Sequence, residues 1–95
     1  MDSRRRRMLV AGNWKMNGSL AGVQALAAAN ADGAMARLSL VQLVLFPPFP
    51  YLPEAQRRLG GSGVVWGAQN VSEHEGGAYT GEVSAQMLRE FGCAC

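Results

Sequence analysis

Residues 40–48 read Leu-Val-Gln-Leu-Val-Leu-Phe-Pro-Pro: seven positions with a single polar interruption at Gln42, stopped by two prolines. A run of that length is a strand rather than a helix, and continuous apolarity marks a strand covered on both faces. Pro47 and Pro48 end it because neither can donate to a sheet ladder. Working backward, Met8 to Ala11 is a second such run, closed by Gly12. Between the two, Leu20, Val23, Leu26 and Ala27 recur at spacings of three and four behind Ser19, which predicts an Ala-rich amphipathic helix with Ser19 as its N-cap. Asn30, Asp32 and Gly33 offer stops for it, or Ala34 to Leu38 continue it.

Working forward, Pro53 suits a first helical turn, Glu54 complements the positive helix start, Arg57 and Arg58 the negative end, and Gly60 a C-cap. Val64 to Trp66 predicts a third strand, and Glu82 to Gly92 a third helix with Glu82 at its start. The order strand, helix, strand, helix, strand, helix defines an α/β chain of parallel β/α units. Periodicity does not choose between an open sheet and a closed barrel.

Ninety-five residues, 48% of them hydrophobic and 17% charged, suffice for one small core. The formal charge of +2 rests on Arg4 to Arg7, an Arg-rich N-terminal tail spanning residues 1–7; the cations beyond it are scattered. Nucleic-acid binding needs basic charge spread over a structured face, so it is not expected. No apolar run approaches the roughly 18 residues of a membrane span, and Met8 to Ala11 is too short for a signal-peptide core. Cys93 and Cys95 are too close for a long-loop disulfide and have no second pair with which to hold a metal. A cytoplasmic protein is the expectation. Gly12 and Gly18 are too far apart for a dinucleotide or P-loop fingerprint.

Asn13, Lys15 and Asn17 follow the first strand and so fall at the carboxyl end of a parallel strand, where α/β folds place ligands. An amide and an ammonium there suit a small anionic substrate; on spacing alone an exposed lysine between turn-forming asparagines serves as well. Trp14 is expected to pack beneath them.

Ala11-Gly12-Asn13-Trp14-Lys15-Met16-Asn17-Gly18 resembles the opening strand and loop of the triosephosphate isomerase family. The likeness recurs in order at Pro47 to Leu52, Gly67 to Asn70, Gly76 to Ser84 and Met87 to Cys93, so it covers about residues 8–93, with the bacterial members most similar. The resemblance implies that residues 8–95 are a partial TIM-barrel domain, the first three units of a (β/α)8 barrel up to the start of the fourth strand, with the barrel incomplete. It implies interconversion of dihydroxyacetone phosphate and glyceraldehyde 3-phosphate through an enediolate, in glycolysis and gluconeogenesis, with no metal or cofactor. By the same resemblance Lys15 is catalytic, Asn13 and Lys15 bind substrate, and Tyr79, Thr80, Gly81 and Glu82 belong to a loop that enters a partner subunit of a homodimer.

The family's catalytic histidine lies in a Gly-His-Ser-Glu-Arg stretch on the fourth strand, and its glutamate base farther on; neither motif occurs here, so the 95-residue chain is expected to be inactive alone. His74, within Ser72-Glu73-His74-Glu75, is expected to be a solvated loop residue, and Glu90 a surface one. Arg4 to Arg7 has no expected counterpart in the family, and Cys95 stands where an aromatic residue is usual. The alternative is a noncatalytic barrel piece that self-associates through open sheet edges.

Overall fold

The computed structural model describes residues 8–30 and 41–95. The Arg-rich tail, Leu40 and the possible helix continuation at Ala34 to Leu38 lie outside the described residues. Three parallel strands, β1 (Met8–Asn13), β2 (Val41–Phe46) and β3 (Val65–Trp66), form one sheet in the order β1-β2-β3. Its register pairs Met8 with Val41 through Asn13 with Phe46, and Val44 with Val65. Helices α1 (Leu20–Ala29), α2 (Leu52–Leu59) and α3 (Ala85–Glu90) follow the strands in turn, and a single 3-10 turn at Phe49–Tyr51 leads into α2. This is the expected alternation of parallel β/α units.

The core sits around β2. Leu45, Leu52, Ala55, Leu59, Val64, Trp66 and Leu88 form its buried cluster, with Trp14, Leu26, Leu43 and Phe49 packed against it. Leu52, Ala55 and Leu59 are at helical spacing, so one face of α2 goes inward while Glu54 and Arg58 pair on another side, Nε to Oε1 2.7 Å. That guanidinium holds the Glu54 carboxyl below its usual range. Trp66 buries its indole and satisfies it by donating Nε1–H to the Phe91 carbonyl at 2.7 Å. Gly92, at φ 76, comes close enough to the same ring that a Cβ there would meet Trp66 Cζ2 at 2.8 Å.

Four details depart from the reading of the sequence. The first strand does not stop at Gly12 but runs through it to Asn13, because Gly12 and Asn13 still pair with Leu45 and Phe46. Nor is it buried on both faces: Met8, Leu9 and Val10 are 66%, 63% and 45% exposed, because β1 packs chiefly against β2 and no described helix packs closely on its faces. Val64 is buried but precedes the two-residue β3. The third helix starts at Ala85, not Glu82, because Ser84 takes the extended backbone and accepts the Met87 N–H on its hydroxyl, which makes it the N-cap. Glu82 instead closes a turn with Tyr79, donating N–H to its carbonyl at 3.0 Å.

Ser19 does cap α1, its hydroxyl accepting the Gly22 N–H at 2.9 Å, and Asn30 ends that helix. Ser19→Ala is therefore expected to destabilise the fold by about 0.5–2 kcal/mol, read as a lower midpoint in denaturant with an unchanged slope. Ser19→Gly, which keeps the backbone freedom, should cost only a few tenths on the same measurement.

Candidate functional site

The carboxyl ends of the three strands converge on a cavity of about 310 Å³ lined by Ala11, Asn13, Phe46, Ala68 and Gln69. The loop after β1 is held to this end of the sheet by Trp14 N–H donating to the Phe46 carbonyl at 3.2 Å. Trp14 tucks under the loop as expected, its ring against Gly18, where a Cβ would lie 3.0 Å from Trp14 Cε3 and 3.2 Å from the Tyr51 ring. Gly18 also takes φ 127, so glycine is needed there on both counts.

Lys15 is the one described non-glycine residue at positive φ, 55°. That conformation costs of order 1 kcal/mol or more in an L-residue and persists only where neighbours hold it. Here they do so from both sides. Lys15 N–H donates to Asn13 Oδ1 at 2.8 Å, and the Lys15 carbonyl accepts Gln69 Nε2–H at 2.9 Å. Gln69 Nε2 also donates to the Phe46 carbonyl at 2.8 Å, so one amide ties the lysine loop to the end of β2. Asn17 Nδ2–H closes the loop on the Trp14 carbonyl at 3.0 Å.

The chemical consequence is a corner of donors. With Oδ1 engaged, Asn13 has its NH2 group left to offer, and Lys15 carries its ammonium on an exposed side chain. Anions and oxygens bearing partial negative charge are what such a corner can hold. Asn13 lines the cavity and Lys15 does not; the two meet through the Lys15 backbone N–H on Asn13 Oδ1. Tyr79, Thr80, Gly81 and Glu82 join neither: all four are exposed on a separate loop, and none lines the cavity beside Asn13.

That loop is closed at its neck by Ser72 N–H donating to the Val83 carbonyl at 2.8 Å. The His74 and Tyr79 rings stack across it, centroids 3.9 Å apart and 3° from parallel, and His74 Nε2 lies 3.5 Å from Glu73 Oε1. His74 is a loop residue, as expected, with the stacking as an addition. Among the described residues no three His, Cys, Asp or Glu side chains are grouped so as to hold a metal, and no helix is long and apolar enough to cross a membrane.

Gln69 is the residue whose role the sequence did not disclose. Its signals were a polar amide three residues past the third strand, at the end where ligands bind, and its place in the family-like stretch Gly67 to Asn70, neither of which says what it bonds. Gln69→Leu keeps the bulk but removes both donations, and Lys15 is expected to lose its left-handed backbone. Amide chemical shifts of Lys15 and Met16 measured by NMR should move in this variant and also in Gln69→Glu, whose side chain has no N–H; unchanged shifts in both would mean that Gln69 does not hold the loop.

Parallel β/α units with polar residues at the carboxyl ends of their strands are those of an α/β protein, and they are consistent with the opening of a TIM barrel. Residues 8–95 match the family model described as "Triosephosphate isomerase". The chain belongs to the triosephosphate isomerase family. It is 56% identical over 88 residues to the curated "Triosephosphate isomerase" of Thiobacillus denitrificans, 51% to that of Dechloromonas aromatica and 53% to that of Coxiella burnetii. Each alignment covers 93% of this chain and 34% of the relative, so the chain spans about a third of the length of the curated relatives it matches.

Proposed function

We propose that this chain supplies the first part of a triosephosphate isomerase, with residues 8–95 running from the first strand to the start of the fourth. In the assembled enzyme, dihydroxyacetone phosphate and glyceraldehyde 3-phosphate interconvert through an enediolate with neither metal nor cofactor. The observation that carries the reading is the strained, doubly clamped Lys15 beside Asn13 at the strand ends.

Removing a proton next to a carbonyl places negative charge on the carbonyl oxygen. An ammonium fixed beforehand near that oxygen lowers the barrier, because it need not reorganise as the charge develops. Lys15 fills this catalytic role and also attracts the substrate's phosphate. The Asn13 NH2 donates to a substrate oxygen and orients it. A guanidinium at position 15 would be bulkier and differently forked, so lysine is the fitting cation. The acid and base that move the proton are not among the residues at this corner, and the 95-residue chain alone has no turnover in this reading.

Tyr79, Thr80, Gly81 and Glu82 form the tip of a loop that enters a second subunit of a homodimer, and the enzyme works in the cytoplasm on a small phosphorylated triose. The protruding, neck-closed loop supports this. Fusing residues 1–95 to the remaining two-thirds of the Thiobacillus denitrificans relative tests it. The chimera should isomerise glyceraldehyde 3-phosphate; a chimera that folds as a dimer and shows no turnover would sink the proposal.

A second reading, favoured by the exposure of Met8, Leu9 and Val10 on an edge strand, is a noncatalytic piece that self-associates through its open sheet edges. Size-exclusion chromatography of the 95-residue chain separates this from a monomer.

A further inference from the structure

The loop between Ser72 and Val83 carries Gly76, Gly77 and Gly81, so its backbone has much freedom to lose when it takes one shape. Its backbone ties are few. The neck is closed by Ser72 and Val83, and Glu82 N–H turns back on the Tyr79 carbonyl at 3.0 Å. Between those ties the His74 N–H donates to Ser72 Oγ at 3.1 Å, and the rest of the span is bridged by side chains. The His74 imidazole lies face to face on the Tyr79 phenol, centroids 3.9 Å apart and planes 3° from parallel. Gly77, at φ 115, lies against the same phenol, where a Cβ would stand 3.1 Å from Tyr79 Cε2. All these contacts fall within residues 72–83, clear of both ends of the chain.

We propose that His74 is the positioning residue of this loop: by stacking on Tyr79 it sets, before association, the shape in which the loop tip enters a second copy of this chain. The proposal rests on the homodimer reading given above and adds to it the residue that prepares the contact. The stack is not part of the core. The His74 side chain is 42% exposed and Tyr79 47%, and neither belongs to the cluster around β2. What the two rings join is position 74 to position 79, across the stretch that contains Gly76 and Gly77.

A loop already in its bound shape loses less freedom when it docks, and affinity rises with the fraction of free protein that has that shape. An aromatic pair contributes enough to change such a fraction by roughly 2- to 12-fold. Two loops dock in one dimer, so the dimer Kd changes by the square of this, roughly 5- to 150-fold. The charge of His74 is the lesser part. Its Nε2 is 3.5 Å from Glu73 Oε1, but the Glu73 side chain is 86% exposed, and exposed pairs of this kind contribute little.

The test uses the chimera described above, which carries this loop in both subunits. Tyrosine is labelled with 13C to follow the Tyr79 ring by NMR, and the dimer Kd is read from fluorescence-detected sedimentation over a dilution series. His74→Ala should return the Tyr79 ring shifts toward those of a free tyrosine and raise Kd by roughly 5- to 150-fold, with unchanged far-UV circular dichroism. His74→Phe, which keeps a ring and has no charge, should restore both readouts, and Glu73→Gln should leave Kd within about twofold. The proposal is overturned if His74→Ala frees the Tyr79 ring and dimerises like the parent, if His74→Phe fails to restore the dimer, or if His74→Ala loses its circular dichroism, which would assign His74 to the fold. A parent chimera that stays monomeric at every concentration removes the homodimer reading itself, and the proposal with it.

Discussion

Replacing Lys15 by alanine, in the chimera that continues this chain to the length of its relatives, is expected to lower kcat by on the order of 10²–10³ while leaving the far-UV circular dichroism unchanged. That is the scale on which a single preorganised electrostatic group acts. Stability should hold because Lys15 is exposed and stands at a strand end, outside the buried cluster. Alanine also removes a side chain from a left-handed backbone without changing that backbone's cost, so the effect is chemical rather than conformational. Lys15→Arg keeps the charge and separates charge from placement: a large loss in both variants points to placement, and a loss confined to alanine points to charge alone. A fall of only a few-fold in Lys15→Ala would make the residue an exposed bystander.

The second large effect is on folding. Leu59→Ala is expected to cost about 2–5 kcal/mol, the range for deleting a fully buried leucine from a packed site. Leu59 is 2% exposed and closes the inward face of α2 against the cluster that contains Val64 and Trp66. Small domains have about 5–15 kcal/mol in total, so this one truncation removes much of what is there. Leu9→Ala is the matched control: the same atoms are deleted from a side chain 63% exposed on an edge strand, and the cost should stay within about 0.5 kcal/mol. Urea titration followed by circular dichroism measures both. Equal costs at the two positions would mean that the cluster around β2 is not what holds the chain together.

The strands were legible because short apolar runs are local signals, although Gly12 does not end β1. Pro47 and Pro48 terminate β2 at Phe46, as their missing N–H groups require. The cap at Ser19 was legible for the same reason. The start of helix α3 was not, since Glu82 and Ser84 both carry acceptors suited to a helix start. The choice between them fell to the tie between Ser72 and Val83, which keeps residues up to 83 in the loop, and to the buried Ser84 hydroxyl. The apolarity of Met8 to Ala11 says that a strand can be buried on both faces, not that something lies on them; the exposure of β1 as an open edge was to be expected only from the incomplete barrel that the resemblance implies.

For the candidate site, the chemistry of the residues and their order after β1 were determined by the sequence alone: an amide and an ammonium, with Trp14 between them. What only tertiary structure decided is the left-handed Lys15 and its support. Nothing local requires φ 55° of a lysine; the conformation is set because Gln69, 54 residues along the chain, reaches across from the end of β3 to the carbonyls of both Lys15 and Phe46. Parallel strands bring such distant residues together at their carboxyl ends, and a hydrogen bond over that separation has no signature in the spacing of either partner.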